Sequence, residues 1–290
     1  MIDILKEMFL TSEYTFIRRA VVVGLLVSLC AALLGVSLVL KRYSMIGDGL
    51  SHVGFGTLAV ATALHAAPLT VSIPVVVLAA FLLLRISESS KIKGDAAIAL
   101  ISTSSLAIGV MVITFSTGMN RDVCNYMFGS ILAMNKNDVT LSIVNAVIVL
   151  VLFVFFYSKI FAVTFDESFA KATGVKTGLY NMIIAFLTAI TIVLGMRMMG
   201  ALLISSLIIF PALTSMRVCK KWHSVTLCSA AVSVVCFFAG VVISYAKELP
   251  TGASVVIVNI AAFLIFWLVQ LITKTTGFPK IKKSATEIKE

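Results

Sequence analysis

The sequence predicts an all-α, polytopic membrane protein, a helical bundle of about eight to nine transmembrane helices, from its composition and its hydropathy pattern. Hydrophobic residues make up 60% of the 290 residues, and the mean hydropathy is +1.10. Charged residues make up only 12%, about half of the roughly 25% that is typical of soluble proteins. A soluble core cannot bury so much apolar surface, whereas a lipid bilayer can.

Long uncharged runs, each of membrane-crossing length, divide the chain. They are residues 20–40, 49–84, 96–120, 139–158, 177–196, 198–216, 222–246 and 249–273. Because a spanning helix needs about 20 apolar residues, the run 49–84 predicts two short spans, bent at Ala66-Ala67-Pro68, and the prediction becomes nine spans. Residues 123–135 are apolar but too short to cross, and they predict a re-entrant or interfacial piece.

Charge divides the chain into three parts. Residues 1–19 lack the residue order of a signal peptide and predict an amphipathic or interfacial segment. Residues 20–273 form the transmembrane domain, and residues 274–290 form a basic tail. Most of the 23 lysines and arginines fall on the side of this tail, which predicts a cytoplasmic C-terminus. The five cysteines form no C-x-x-C pair, so neither a disulfide framework nor a thiolate zinc site is indicated.

Asp48 is the only acidic residue inside the apolar segments, and His52 follows it by four positions. In a helix the two side chains share one face. A carboxylate oxygen and an imidazole nitrogen are ligands of zinc, manganese and ferrous iron, and they are too few for a calcium or magnesium cage. A mutual Asp–His hydrogen bond, or an aspartate that caps the second span, would explain the pair equally. Any metal site would need further ligands from this chain, a second copy or water.

The loop from Phe165 to Val175 has the pattern of a short amphipathic helix. It begins with the acids Asp166 and Glu167, has helix-forming spacing and ends at Gly174, as helices with an acidic start and a glycine stop do. An ordinary connector is the alternative. A short helix between spans is nevertheless what a membrane subunit needs if a soluble motor is to push on it.

Four other features stand out in the apolar segments and their turns. Arg197 lies between two apolar runs and predicts a short external turn, while the methionines of 196–199 would alternatively form a soft gate. Pro211 lies inside a run and predicts a kink or a broken helix. His65 is expected at a membrane-interface turn, and His223 is expected to be solvated in a basic loop.

No motif for catalysis is present in the sequence. It contains no G-x-x-x-x-G-K-[ST] phosphate loop, no nucleophile elbow and no H-E-x-x-H helix. We therefore expect no ATP hydrolysis by this chain, no enzymatic role and no permanently bound cofactor.

Several segments together resemble the permease subunit of bacterial metal-importing ABC transporters, the zinc, manganese and iron uptake family. In chain order the matching segments are Arg19 with the following Gly/Leu-rich span, residues 40–52, residues 127–132, residues 166–175, residues 200–204 leading to Pro211-Ala212, and residues 249–252. They cover most of residues 15–275. The Gly-Asp-x-x-Ser-His string at 47–52 and the Asp166 loop are the specific parts. Gly49, Leu213 and Ser215 depart from the residues that are frequent in the family, which often has alanine or another small residue there.

The resemblance implies a homodimeric, multi-pass permease of the bacterial cell membrane that carries manganese, zinc or ferrous iron. It implies that Asp48 and His52 touch the metal on its path. It further implies an extracellular solute-binding protein that delivers the ion and an ATP-binding cassette subunit that docks at the 166–174 helix. The residues expected to couple to that subunit are Asp166, Glu167, Phe169, Ala170 and Gly174.

Three alternatives remain open from the sequence. In a proton-coupled secondary transporter Asp48 would relay protons, and no ATP-binding partner would be needed. In a membrane scaffold or sensor that does not transport, the Asp48–His52 pair would be structural. A vitamin- or siderophore-importing permease has a larger cargo and would be expected to lack such a pair.

Overall fold

The computed structural model describes residues 15–89, 94–116 and 136–276, and within these ranges it is built from α-helices without any strand. The helices are α1 (Thr15–Leu40), α2 (Ile46–Ala63), α3 (Pro68–Ser89), α4 (Gly94–Phe115), α5 (Lys136–Phe155), α6 (Tyr157–Phe165), α7 (Glu167–Ala172), α8 (Thr177–Met199), α9 (Ala201–Val218), α10 (Trp222–Lys247) and α11 (Thr251–Thr276). Most of the predicted N-terminal segment, the predicted re-entrant piece at 123–135 and nearly all of the basic tail lie outside the described residues.

Seven of these helices are long and apolar enough to cross a membrane, and the bent pair α5–α6 raises the number to as many as eight in the described ranges. The polytopic helical bundle is therefore confirmed. The remaining predicted span is α2, which is not among the candidates. It carries Asp48 and His52 together with several glycines and threonines, and these lower its hydropathy. Most of its residues are buried against neighbouring helices instead.

The predicted break at Ala66-Ala67-Pro68 is confirmed, because α2 ends at Ala63 and α3 begins at Pro68. Proline is favoured at the first position of a helix, where its missing N–H costs nothing. His65 occupies this turn, is exposed and has a positive φ of 52°. It lies beyond the end of α2 that is opposite to Asp48.

The structure refines three predicted details. The run 139–158 forms α5 and the start of α6, which are bent by 73° and pass as a broken span or a re-entrant loop. The turn predicted at 196–200 is present, but α8 continues through Arg197 and the break is Gly200, whose φ of 88° favours glycine. Of the kink or broken helix predicted at Pro211, the break is wrong, because α9 is continuous through it, and the kink stays a prediction.

Small residues let the helices of the bundle approach closely, as expected for a membrane protein. Gly35 of α1 packs directly on the backbone carbonyl of Ile208 in α9. A Cβ atom at Gly56 of α2 would lie 2.5 Å from the carbonyl oxygen of Ser105 in α4. These contacts pack α1 against α9 and α2 against α4, and Gly47 next to Asp48 packs on Ile208 of α9.

Candidate functional site

Asp48 and His52 lie on one face of α2, near its N-terminus. The Nε2 atom of His52 is 3.5 Å from the Oδ2 atom of Asp48. The side chains are 45% exposed for Asp48 and 22% exposed for His52, although Gly49, Leu50 and Ser51 between them are buried. The predicted pairing on one helix face is thus confirmed, and the pair opens to space outside the packed bundle of a single chain.

The separation of 3.5 Å fits two explanations of the pair. It is longer than the roughly 2.7–3.2 Å of an ordinary hydrogen bond that involves a nitrogen donor, but the imidazole of His52 still acts as a hydrogen-bond partner of the Asp48 carboxylate. It is also close to the about 3.4 Å between two ligand atoms that lie about 2.1 Å from one tetrahedral ion. The N-cap of α2 is Met45, without a side-chain hydrogen bond, so Asp48 does not cap the helix. Its place in the first turn still favours the ionised carboxylate through the helix dipole.

A serine from a second helix completes the surroundings of Asp48. Ser205 of α9 interacts with the Asp48 carboxylate through its hydroxyl, and its Oγ is 3.3 Å from the Oγ of Ser51. Ser51 donates a 2.7 Å hydrogen bond to the carbonyl of Gly47. This contact connects the Asp48 turn of α2 to α9. The sequence does not indicate the contact, because serine hydroxyls are common inside apolar spans.

Within residues 15–89, 94–116 and 136–276, no three His, Cys, Asp or Glu side chains group so that they could hold a metal ion together. Among these residues the Asp48–His52 pair offers two potential ligand atoms in an open arrangement. An open arrangement suits an ion that must leave again, because a complete cage would release its ion slowly.

The helix predicted at 166–174 is present as α7. Asp166 is its N-cap, with an extended backbone, and its carboxylate accepts a 2.9 Å hydrogen bond from the Phe169 amide. Gly174 ends the turn with a φ of 82°, which favours glycine after a helix. Ala170 is fully buried, whereas Phe169 is 65% exposed. The helix is thus anchored on one side and presents an aromatic side chain on the other.

Glu167 connects α7 to two other parts of the bundle. Its carboxylate lies 3.1 Å from the Lys171 ammonium and 3.6 Å from that of Lys41, and it accepts a 3.3 Å hydrogen bond from Asn181. The Lys41 ammonium also donates to the amide oxygen of Asn181. Burial opposes the ionised form of Glu167, but the hydrogen bonds from Lys171 and Asn181 and the charge of Lys41 outweigh it and lower its pKa. The contacts of Lys41 and Asn181 with Glu167 were not predicted from the sequence.

Lys41 lies between α7 and the start of α2, the helix that carries Asp48. It follows the last residue of α1, and its side chain is only 11% exposed. The chain then turns through Arg42, whose φ is 63°, and the Tyr43 amide bonds back to the carbonyl of Leu38 at 2.8 Å. α2 begins at Ile46. A displacement of α7 would therefore act, through Glu167 and Lys41, on the turn from which the Asp48 helix starts.

The remaining predicted candidates lie in other surroundings. Met196, Met198 and Met199 are all buried among helices. The methyl group of Met196 would meet a Cβ atom at Gly54 of α2 at 2.8 Å, so it packs within the core. His223 is exposed as predicted, but it is not simply solvated. Its ring stacks on Tyr157, and its Nδ1 is 2.8 Å from the tyrosine hydroxyl.

Comparison with known proteins gives consistent matches along nearly the whole chain. The family model described as "ABC 3 transport family" matches residues 13–270. A "Probable metal transport system membrane protein" of Thermotoga maritima is 34% identical over 252 residues, which are 87% of this chain and 89% of that protein.

Two relatives carry the names of specific metals. The "Manganese transport system membrane protein MntC" of Halalkalibacterium halodurans is 26% identical, over 87% of this chain and 86% of its own length. The "High-affinity zinc uptake system membrane protein ZnuB" of Haemophilus influenzae is 28% identical, over 85% and 94%. Among solved structures, "PsaBC from Streptococcus pneumoniae in complex with Fab" matches with a TM-score of 0.83 and 26% identity, and the match covers 96% of this chain and 100% of that one.

Proposed function

The chain belongs to the ABC 3 transport family, and we propose that the metal ion carried by this permease passes between Asp48 and His52 of α2. The protein is a multi-pass membrane permease subunit of an ABC importer for divalent transition-metal ions. Its family consists of transport permease subunits, and we propose that it catalyses no reaction of its own. We further propose which residues couple the permease to an ATP-binding subunit, and that two copies of the chain assemble as a homodimer.

The observation that carries the proposed path is the geometry of the Asp48–His52 pair. The carboxylate and imidazole atoms are 3.5 Å apart, which matches the separation of two ligands on one ion of this size. Ionisable side chains inside a membrane bundle are costly, and where they occur they often mark a path for ions. The carboxylate would neutralise part of the ion's charge, and the nitrogen would discriminate against magnesium and calcium.

The cargo would be manganese or zinc, with ferrous iron accepted by the same ligands. The relatives named above are divided between manganese and zinc, and an Asp/His pair binds both. We propose that an external solute-binding protein supplies the ion, and that no cofactor is held permanently. The exposed carboxylate of Asp48 would then face a second copy of the chain, because a homodimer would close the open side of the path.

ATP hydrolysis would take place in a separate ATP-binding cassette subunit that docks on α7. The exposed Phe169 would insert into that subunit, while the buried Ala170 and the Asp166 cap hold α7 on the permease. Movement of α7 would be transmitted by Glu167 to Lys41 and so to the start of α2. The ligands would then separate, and the ion would leave toward the cytoplasm.

Uptake of radioactive manganese and zinc by cells that express the chain with its two partners tests this proposal. Asp48→Asn and His52→Gln keep the shape of each side chain and should each abolish most of the uptake at normal expression. His65→Gln, in the exposed α2–α3 turn, is the matched control and should transport normally. Unchanged uptake in the Asp48→Asn/His52→Gln double variant would refute the path. Uptake that persists without the ATP-binding subunit would favour a proton-coupled carrier.

A further inference from the structure

A cavity of about 470 Å³ opens between α6 and the start of α10, on the same face of the bundle as α7. Phe165, in its wall, immediately precedes Asp166, the N-cap of α7. The proposed transport path uses none of the cavity's side chains. Its wall has a basic part, from the segment that leads into α10, and an aromatic part, from α6.

The basic part of the wall contains Lys220, Lys221 and His223. Both lysines are exposed, and neither forms an ion pair in the part of the chain that the structure describes. Asp166, the acidic residue next to the cavity along the chain, has its carboxylate engaged by the Phe169 amide. The positive charge of this wall is therefore not compensated by any of the residues that the structure describes.

The same wall includes the beginning of a long helix. Trp222 is the first residue of α10, and the N-cap Lys221 makes no side-chain cap hydrogen bond. The free amide groups and the dipole of such a helix start attract anions. Trp222 is 6% exposed, and its indole nitrogen has no hydrogen-bond partner among the described residues. The wall thus combines two exposed lysines with the start of a helix, while the Trp222 indole nitrogen is buried beneath it.

The aromatic part of the wall has the character of a membrane interface. α6 turns by 73° away from α5, so it runs across the end of the bundle instead of along it. Phe161 and Phe165 are exposed on it, and Tyr157 fixes His223 by stacking at a centroid distance of 5.0 Å. Tryptophan and tyrosine are enriched where a bilayer meets water, and Tyr157 and Trp222 both line this cavity.

We propose that this cavity binds the headgroup of an anionic phospholipid of the phosphatidylglycerol type from the leaflet on the α7 side. The phosphate would lie against Lys220, Lys221 and the start of α10, and the acyl chains would run past Phe161 and Phe165. Basic pockets beside transmembrane helices recognise anionic lipids in this way. The two exposed lysines favour an anion, and the exposed phenylalanines favour a partner with an apolar part. This inference is independent of the proposed metal path.

Tryptophan fluorescence tests the proposal directly, because the chain contains only Trp222 and Trp267. The full-length Trp267→Phe variant leaves Trp222 as the only fluorophore, and it is reconstituted in phosphatidylcholine vesicles. A fraction of the lipid is then replaced by phosphatidylglycerol or phosphatidylcholine with brominated acyl chains. The bromine atoms quench the fluorescence of a nearby tryptophan. Brominated phosphatidylglycerol should reach half of its maximal quenching at a mole fraction about fivefold or more below that of brominated phosphatidylcholine, because each lysine attracts an anionic headgroup.

Charge-neutralising variants locate the binding site. In the same background, Lys220→Gln/Lys221→Gln should abolish the preference for phosphatidylglycerol. Lys159→Gln/Lys176→Gln removes two exposed charges that lie outside the cavity and should keep it. Equal quenching by the two lipids, or a preference that survives Lys220→Gln/Lys221→Gln, would overturn the proposal. Release of the ATP-binding subunit by Lys220→Gln/Lys221→Gln, with no lipid preference, would assign the cavity to that subunit instead.

Discussion

The ammonium group of Lys41 lies 3.6 Å from the carboxylate of Glu167 and joins the end of α1 to the short helix α7. Lys41 is almost buried, and the hydrogen bonds of Asn181 connect both partners to the start of α8. A charge pair with such limited access to water is costly to break on one side only. The contact is therefore suited to transmit a movement of α7 to the turn before α2.

Removing the charge of Glu167 should uncouple transport from ATP hydrolysis. Glu167→Gln keeps a side chain that can bond to Asn181 but loses the attraction for Lys41, an ion pair that contributes about 1 kcal/mol at a partly exposed position. We expect metal uptake to fall about fivefold while the ATPase rate of the assembled complex falls much less. Both rates are measured on the same reconstituted preparation.

Lys171→Gln is the matched control for this variant, since Lys171 contacts Glu167 within α7 and its side chain is 64% exposed. It should change uptake little. If Lys171→Gln were as damaging as Glu167→Gln, the effect would belong to the charge of α7 and not to its contact with Lys41.

Acidification should remove the stabilising effect of Glu167. Its pKa is below the ordinary value of 4.5 in the folded protein, so the folded state gains stability from ionised Glu167 above that value. This gain is lost as the pH falls through the lowered pKa. Thermal unfolding in detergent should therefore show wild type more stable than Glu167→Gln at neutral pH, with a difference that shrinks below about pH 4.5. A difference that grows on acidification would contradict the assigned ion pairs.

Removing the N-cap of α7 should weaken binding of the ATP-binding subunit. Asp166→Ala loses the 2.9 Å hydrogen bond from the Phe169 amide, and the loss of such a cap costs about 1 kcal/mol. We expect the affinity of the permease for the partner to fall about fivefold, as measured by titration in detergent. Asp166→Asn can accept the same bond and should bind nearly as wild type. Equal loss in both variants would mean that the charge matters and the cap does not.

Close packing of α2 on α4 should not tolerate a methyl group. Gly56→Ala would place a Cβ atom 2.5 Å from the carbonyl oxygen of Ser105, and such overpacking costs about 1–3 kcal/mol. A lowered melting temperature in detergent would report it. Gly178→Ala, where nothing lies within 4 Å, is the matched control and should be neutral or slightly stabilising. If Gly56→Ala melted like Gly178→Ala, the helices would be packed less closely than described.

Local sequence patterns predicted the parts of the site that depend on local structure. Spacing of four residues put Asp48 and His52 on one helix face, and an acidic start with a glycine stop marked α7 between Asp166 and Gly174. Helix geometry and capping act over a few residues, so they can be recognised in one sequence. That the pair binds the metal stays a prediction.

Contacts between distant segments could not be predicted in this way. Lys41 and Glu167 are brought together by the packing of α1, α7 and α8. The sequence around either residue does not indicate that it contacts the other. The bend between α5 and α6 has no glycine or proline to mark it; Tyr157, at the bend, instead packs on Trp222 and His223 of α10. At the α8–α9 turn the sequence predicts a break from the charge of Arg197. In the structure the backbone conformation of Gly200 makes the break, three residues later.

The most direct measurement of the proposed path is pulsed electron paramagnetic resonance of manganese bound to the purified permease without nucleotide. A metal held by His52 should show a coupling to imidazole nitrogen. The chain has three histidines, so His65→Gln and His223→Gln serve as controls. The account predicts that the nitrogen coupling is present in wild type and in both controls and is lost in His52→Gln. A coupling that persists in His52→Gln, or that is absent from wild type, would contradict it.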